Sequence, residues 1–409
     1  MSVAPATAPL ASTDRMDVLD VMRGVAVLGI LLVNIDSFIG HGFLPPDRQS
    51  ALPGVRFDAT ASFLTEFLVQ GKFYCLFSFL FGVGFSVFVQ RAAAKGHDAV
   101  RLFKRRLTGL LVIGLVHSIL IWYGDILATY AVIGFGLIPF LRRGDRAVLR
   151  AAMLWLAAPI AFYLVLLGIA SLVPAPPPSA EGDALPPVMA AAVQGFAGGG
   201  YRDVVQGNVV FTIANVVRRL VLMFFPRVFG MFLLGLYAGR LQLFAHLDAN
   251  APFLRKVCFA GFAVGLPLAF VGAALGGSGS PRPPSLAGLL EMVVESIATP
   301  LLALGYGAAI CLVFRRYRGA LAALAPAGRM ALTNYLLQSV AGVVVFYGIG
   351  FDLYGKVSLI VALAGCVAFF ALQMVASRLW LTVAAFGPAE WLWRVFTYRR
   401  RFPLFVPSK

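Results

Sequence analysis

Charge is what this sequence has least of. Asp, Glu, Lys and Arg make up 13% of the 409 residues, about half the roughly 25% usual in soluble domains, which excludes a water-soluble globule. Acidic residues are the scarcer sign, 18 against 34 Lys and Arg, leaving a net charge of +16. The four cysteines, Cys75, Cys258, Cys311 and Cys366, lie in apolar stretches without CxxC spacing. They read as packing residues, not as disulfide partners or metal ligands. No metal-ligand spacing occurs elsewhere, so no metal is expected. GxxxxGK[ST] and a GxGxxG after a strand are also missing, which argues against ATP-driven transport. Met1 to Asp20 is polar and mixed in charge, with no small-residue cleavage site after its apolar run; no cleaved signal peptide is expected, and the first helix serves as the insertion signal.

What is abundant is apolar surface: 60% hydrophobic residues and a mean hydropathy of +0.86. About ten runs approach or exceed the roughly 20 residues that cross a bilayer. They fall near 17–39, 62–89, 107–123, 126–141, 147–173, 218–239, 257–277, 286–313, 330–349 and 357–384. The sequence therefore predicts an all-α polytopic membrane helix bundle, since only helices of this length satisfy their own backbone in lipid. Basic residues cluster in short connections: Arg91 to Arg106, Arg142 to Arg150, Arg240 to Lys256, Arg315 to Arg318 and the tail from Arg394 to Arg401. Alternating spans place all of these on one side, so both termini are expected in the cytoplasm and no nucleic-acid partner is expected.

Residues 1–14 read as a disordered tail and 15–409 as one transmembrane domain, with an outer Pro- and Gly-rich loop near 174–206 and a basic tail near 388–409. No repeat relates the halves. Gly82, Gly84, Gly109 and Gly114 suit close helix approach.

Ionisable groups inside the runs carry the chemistry, because each costs several kcal/mol in hydrocarbon, roughly 3 for a charge at the centre. His117 is the one histidine within a span, about ten residues or roughly 15 Å past the basic start of its run. It either ties two helices together or acts as a general base with a pKa near 6.5. Asp125 follows across Gly124. Helical rise argues against a direct bond to His117, and capping the next helix is the equal alternative. Asp20 and Arg23 are spaced to pair with each other. Asn34, Asp36, Glu66, Gln70, Lys72, Glu291, Glu295, Asn334, Tyr335 and Gln338 are the other polar groups expected to be buried. Lys72 can pair with Glu295 or with Asp36. Arg218 and Arg219 open a span at its outer end, either snorkelling to the interface or binding an anionic acceptor. Arg23, Arg105, Arg106 and Arg329 form a cationic rim able to hold a polyphosphate.

Five ordered segments, "LDVMRGVAVLGILLVNI" (19–35), "GKFYCLFSFLFGVGF" (71–85), "GLVHSILIWYGDILATYAVIG" (114–134, after "RRL" at 105–107), "GRMALTNYLLQS" (328–339) and "GPAEWLWR" (387–394), resemble the YeiB family of bacterial inner-membrane proteins, a family of domain of unknown function 418. That family is similar to transmembrane acyltransferases such as the heparan-glucosamine N-acetyltransferases. The resemblance implies transfer of an acyl group, usually acetyl, from cytoplasmic acetyl-CoA to a glycan or other small acceptor at the outer face. The histidine of the heparan enzymes has no matching position here, His41 being close but misplaced, so the base is assigned to His117 inside the "GxxH" and "GDIL" segment.

On that reading Asp125 and Glu295 support His117, while Asn34, Lys72 or Asn334 donates to the oxyanion. Arg23, Arg105, Arg106, Arg329, Tyr335 and Gln338 hold the acyl-CoA, and Asp36, Arg218 and Arg219 bind the acceptor. The partners are the inner-membrane bilayer, acyl-CoA, the acceptor and a possible homodimer. The competing reading is a proton-coupled secondary transporter or exporter, with Asp36, His117, Asp125 and Glu295 as a relay.

Overall fold

The computed structural model describes residues 17–172, 185–276 and 284–406. The expected N-terminal tail, the Pro-rich first part of the outer loop and residues 407–409 lie outside the described residues. Helices follow one another from α1 (Asp17–Ile39) through short α2 (Pro46–Ser50) to α3 (Asp58–Leu68), α4 (Lys72–Ala94), α5 (Ala99–Leu120) and α6 (Leu127–Phe135). Next come α7 (Asp145–Leu172), α8 (Pro187–Gly198), α9 (Tyr201–Val221), α10 (Phe224–Arg240), α11 (Ala251–Ala274) and α12 (Leu286–Arg316). The chain closes with short α13 (Arg318–Leu321) and α14 (Ala325–Arg329), then α15 (Ala331–Phe346), α16 (Leu359–Val383) and α17 (Pro388–Tyr398). One isolated bridge, Ala384 with Phe405, is the sole β pairing among the described residues.

Seven of these helices are long and apolar enough to cross a membrane, or eight when Arg318–Arg329 and Ala331–Phe346, bent by 71°, count as one broken span. The chain is thus a multi-pass membrane helix bundle. The difference from ten runs has identifiable causes. In α5 the cations Lys104, Arg105 and Arg106 shorten the apolar stretch. The run 126–141 breaks after the nine residues of α6 into a 3-10 turn at Pro139. Within 218–239 the helix is the 17-residue α10.

The region read as an outer loop also differs, because 187–198 and 201–221 are helical. Gly199 and Gly200 mark a junction between two helices, where the Asp203 carboxylate accepts from the Gly200 N–H at 2.8 Å. Helix α9 is the least apolar of the seven, and its polar residues are occupied. Tyr201, Asn208 and Thr212 donate to the carbonyls of Leu120, Ile119 and Ser118, at 2.8, 3.2 and 3.4 Å. These are orphan acceptors of the last turn of α5, and α9 supplies the donors that lipid lacks.

Helix α1 runs through the middle, touching α4, α12, α14, α15 and α16. Small residues set the close crossings. A Cβ on Gly235 would sit 2.0 Å from the Phe79 carbonyl oxygen, and one on Gly82 2.0 Å from that of Phe232, so α4 and α10 meet backbone to backbone. Gly114 receives Ala128 of α6, and Gly109 receives Trp393 and Phe396 of α17. Gly84 instead looks toward the Arg23 guanidinium. The four cysteines are free, three of them buried.

Gly235→Leu forces backbone apart and is expected to cost about 1–3 kcal/mol, the usual penalty for overpacking. Thermal unfolding of the purified protein in detergent should show a lowered midpoint, whereas Gly168→Ala, with nothing within 4 Å, should not.

Candidate active site

A buried titratable pair is built by a chain reversal. After α5 ends, the N–H groups of Ile121 and Trp122 both donate to the His117 carbonyl, at 3.0 and 2.8 Å. Trp122 then stacks on Phe38, ring centroids 4.2 Å apart. This turn brings Asp125 back beside the last turn of α5, so His117 Nδ1 lies 3.0 Å from Asp125 Oδ1. The other carboxylate oxygen accepts the Ala128 N–H at 2.7 Å, capping α6. The two alternatives read from sequence, pairing and capping, hold together, because the argument from helical rise does not apply across a reversal. His117 is 1% exposed and Asp125 4%. A carboxylate beside Nδ1 favours a proton on that nitrogen and leaves Nε2 as the ring nitrogen that does not face the aspartate. Among the described residues Nε2 has no hydrogen-bond partner.

A cavity of about 370 Å³ approaches this pair from the basic end of the bundle. Its mouth holds Arg23, Arg91, Lys95, Arg106, Arg329 and Arg394 against the carboxylates Asp20 and Glu390. Its throat is apolar, with Ile30, Phe77, Phe81, Leu110 and Leu127, and it ends at Tyr130, Ile126 and Tyr335. The Tyr335 ring centroid is 5.3 Å from that of His117. The imidazole itself is not in the lining, so one aromatic side chain separates it from the cavity.

The sequence candidates divide accordingly. Arg23, Arg106, Arg329 and Tyr335 line the cavity. Arg23 pairs with Asp20 at 2.6 Å, and the Arg106 guanidinium lies 3.7 Å from the Trp393 ring centroid, a close cation–π contact. Arg105 is outside the lining, although α5 places it beside Arg106. Asn334 and Gln338 are also elsewhere, in a buried network between α15 and α16. Asn334 donates to the Ala327 carbonyl and to Ser377, both at 3.0 Å, and Gln338 donates to Gln373 at 2.9 Å.

Lys72, wholly buried, donates to the Glu66 carbonyl at 2.7 Å within electrostatic reach of Glu295, and Glu295 accepts from Thr299 at 2.8 Å. Neither lines the cavity. Asn34 is half-buried, and Asp36 and Arg218 are exposed, all outside the lining. Arg219 donates to Thr129 of α6 at 2.8 Å and lies within electrostatic reach of Asp125 and Tyr335.

Sequence reasoning missed Glu390. It accepts from the N–H groups of Leu332 and Thr333, at 2.8 and 3.1 Å, and from the Thr333 hydroxyl at 2.6 Å. It therefore caps the start of α15 from 58 residues away. A cap normally comes from the residue just before its helix, and nothing near Ala331 announces this one.

Burial pushes the Glu390 carboxyl above its ordinary range, and the bonds from Thr333 and Leu332 offset this in part. The folded protein then holds this proton more tightly than the unfolded chain does. Its contribution is fully present below the ordinary carboxyl value, about 4.3, and is lost as pH rises through the raised one. Unfolding midpoints across a pH series should show that fall, and Glu390→Gln should flatten it. An equal slope in the variant would exclude Glu390 as the source. Separately, Asp125→Ala, which removes the α6 cap, is expected to cost about 1–2 kcal/mol, with Asp125→Asn recovering most of it.

Comparison with known proteins follows the whole length of this architecture. The Bacillus subtilis protein YxaH is 32% identical over 98% of each chain. Escherichia coli YeiB is 29% identical, covering 95% of this chain and 98% of its own. A Bacillus acidopullulyticus 39.9 kDa protein from the amylase 3′ region is 28% identical, covering 98% of this chain and 99% of its own. No solved structure matches. A family profile described as protein of unknown function, DUF418, matches residues 238–400, the part that carries the broken span and the Glu390 helix. The chain belongs to this family, with YxaH and YeiB.

Proposed function

We propose that the protein is a membrane-bound acyltransferase that moves an acyl group, acetyl in the simplest case, from cytoplasmic acyl-CoA to a glycan or other small acceptor presented from the outer face. One observation carries the reading: a cavity with a cationic mouth and an apolar throat stops one side chain short of a buried His–Asp pair whose Nε2 is unpartnered. The mouth suits the phosphates of coenzyme A, since guanidinium groups bind phosphate through paired charge-assisted bonds. The throat suits a pantetheine arm, and the volume falls in the range of small-molecule sites, about 300–1,000 Å³.

In this scheme Arg23, Arg106 and Arg329 hold the phosphates, and Tyr335 turns aside to open the throat to His117. His117 Nε2 takes the proton from the acceptor hydroxyl or amine as that atom attacks the thioester carbon. Asp125 keeps Nδ1–H in place and stabilises the imidazolium. The C–S bond breaks, and the imidazolium returns the proton to the departing sulfur. No nucleophilic serine or cysteine is required. Oxyanion donation is not assigned to Lys72 or Asn334, whose amine and amide are engaged elsewhere. The basic mouth at the cytoplasmic side of a bacterial inner membrane, with both termini there, is part of the same proposal.

Purified protein should bind acetyl-CoA, more tightly at low than at moderate salt, and hydrolyse it slowly in the absence of acceptor. His117→Ala should lower turnover by about 10²–10⁴-fold, the usual worth of a general base, while leaving acetyl-CoA binding largely intact. Arg106→Gln should weaken binding by about tenfold or more, as loss of a charged hydrogen bond does. Full transfer activity in His117→Ala would remove the base from this scheme. Proton-coupled flux in liposomes with no acetyl-CoA binding would favour the secondary-transporter reading, to which the buried Lys72, Glu295 and Arg227 would then contribute.

A further inference from the structure

Two basic segments distant in sequence meet beside the cavity, with Asp98, the cap of α5, as the one carboxylate that bonds to them among the described residues. Arg101, Lys104 and Arg105 stand on the first turns of α5, and Arg399, Arg400 and Arg401 follow α17 directly. Five of the six are exposed, and Arg105 is half-buried. The charges that Arg105 feels are those of Arg399 and Arg101, both of its own sign. None of the six makes an ion pair among the described residues.

The arrangement is held firmly. Arg399 takes a left-handed turn, φ 52°, and the chain then doubles back. The Trp391 indole donates to the Phe402 carbonyl at 2.8 Å, and the N–H groups of Ala385 and Val406 bond to Leu404 and Val383, both at 2.9 Å. On the other side, the Trp393 indole donates to the Arg106 carbonyl at 2.7 Å.

Apolar side chains stand exposed on the same module. Leu392 and Phe396, one helical turn apart, are 56% and 47% exposed, and Phe405 is 60% exposed. The position fits a bilayer boundary. Apolar α16 ends at Val383, with four residues between it and Pro388, which opens α17, and the apolar part of α5 begins just after Arg106. A short helix with one apolar face, flanked by arginines at the end of a span, is the pattern of a segment lying in the headgroup layer.

We infer that α17 with the arginine turn 399–401 and the basic start of α5 forms a binding site for the headgroup of an anionic phospholipid, with Leu392 and Phe396 seated among its acyl chains. The occupant is a lipid, not a soluble phosphate, because cations and exposed apolar groups share one short module. Since α17 also supplies Glu390 and Trp393 to the cavity wall, the lipid would steady that wall. The site stands apart from the acyltransferase reading.

The test uses the full-length protein in detergent, doped with phosphatidylglycerol or with phosphatidylcholine at 0.1 M salt. Phosphatidylglycerol should raise the unfolding midpoint and be retained through purification at least about tenfold over phosphatidylcholine. A juxtamembrane cation contributes about fivefold, so R399Q/R400Q/R401Q should lose most of that preference. The corresponding triple Lys variant should keep it, which separates lost charge from lost fold. Equal retention of both lipids by the unaltered protein, or an unchanged preference in a folded Gln variant, would overturn the inference. Complete displacement of phosphatidylglycerol by inorganic pyrophosphate would also overturn it, by showing a soluble-phosphate site.

Discussion

A titratable side chain placed in hydrocarbon has to find its partner inside the protein, because water is not there to supply one. The bond between His117 and Asp125 meets that demand at the bottom of this bundle, and much of the neighbouring structure follows from it. Asp125 can reach the imidazole only if the chain reverses at once after α5. The reversal exposes three carbonyls that a continuing helix would have satisfied, and α9 provides donors for them. The same carboxylate starts α6, so one side chain fixes the ring, ends a turn and begins a helix.

The cavity arises from a second departure from helical regularity. Breaking the chain between α14 and α15 frees the first N–H groups of α15, which in lipid would be costly. Glu390 accepts two of them, and the helix that brings it also walls the mouth. Negative charge at a helix start is further favoured by the helix dipole. Irregular backbone at membrane depth is tolerated where it lines such a space, and here it sets the apolar throat between the cations and Tyr335.

The architecture was legible wherever one residue type or one short spacing decides the outcome. Long apolar runs gave the all-helical bundle, Asp20 and Arg23 pair at the expected spacing, and the cysteines serve as packing. His117 stands out in the sequence because a lone histidine in an apolar run has few bland explanations. The rest depends on contacts across the chain. Asn334 and Gln338 look like site residues until α16 supplies Ser377 and Gln373. Arg105 looks equivalent to its neighbour Arg106, but adjacent helical residues point in different directions, and only Arg106 faces the cavity. Only the start of α9, residues 201–206, falls in the expected loop, because its polar groups are judged without the α5 carbonyls beside them. Glu390 carries no local mark at all.

The wall formed by α17 has a consequence for biogenesis. Translation delivers α15 well before Glu390, so the helix that ends the broken span is threaded into the bilayer with its first amides still unmet. Only when α17 docks does its carboxylate meet the Leu332 and Thr333 amides and complete the cavity wall.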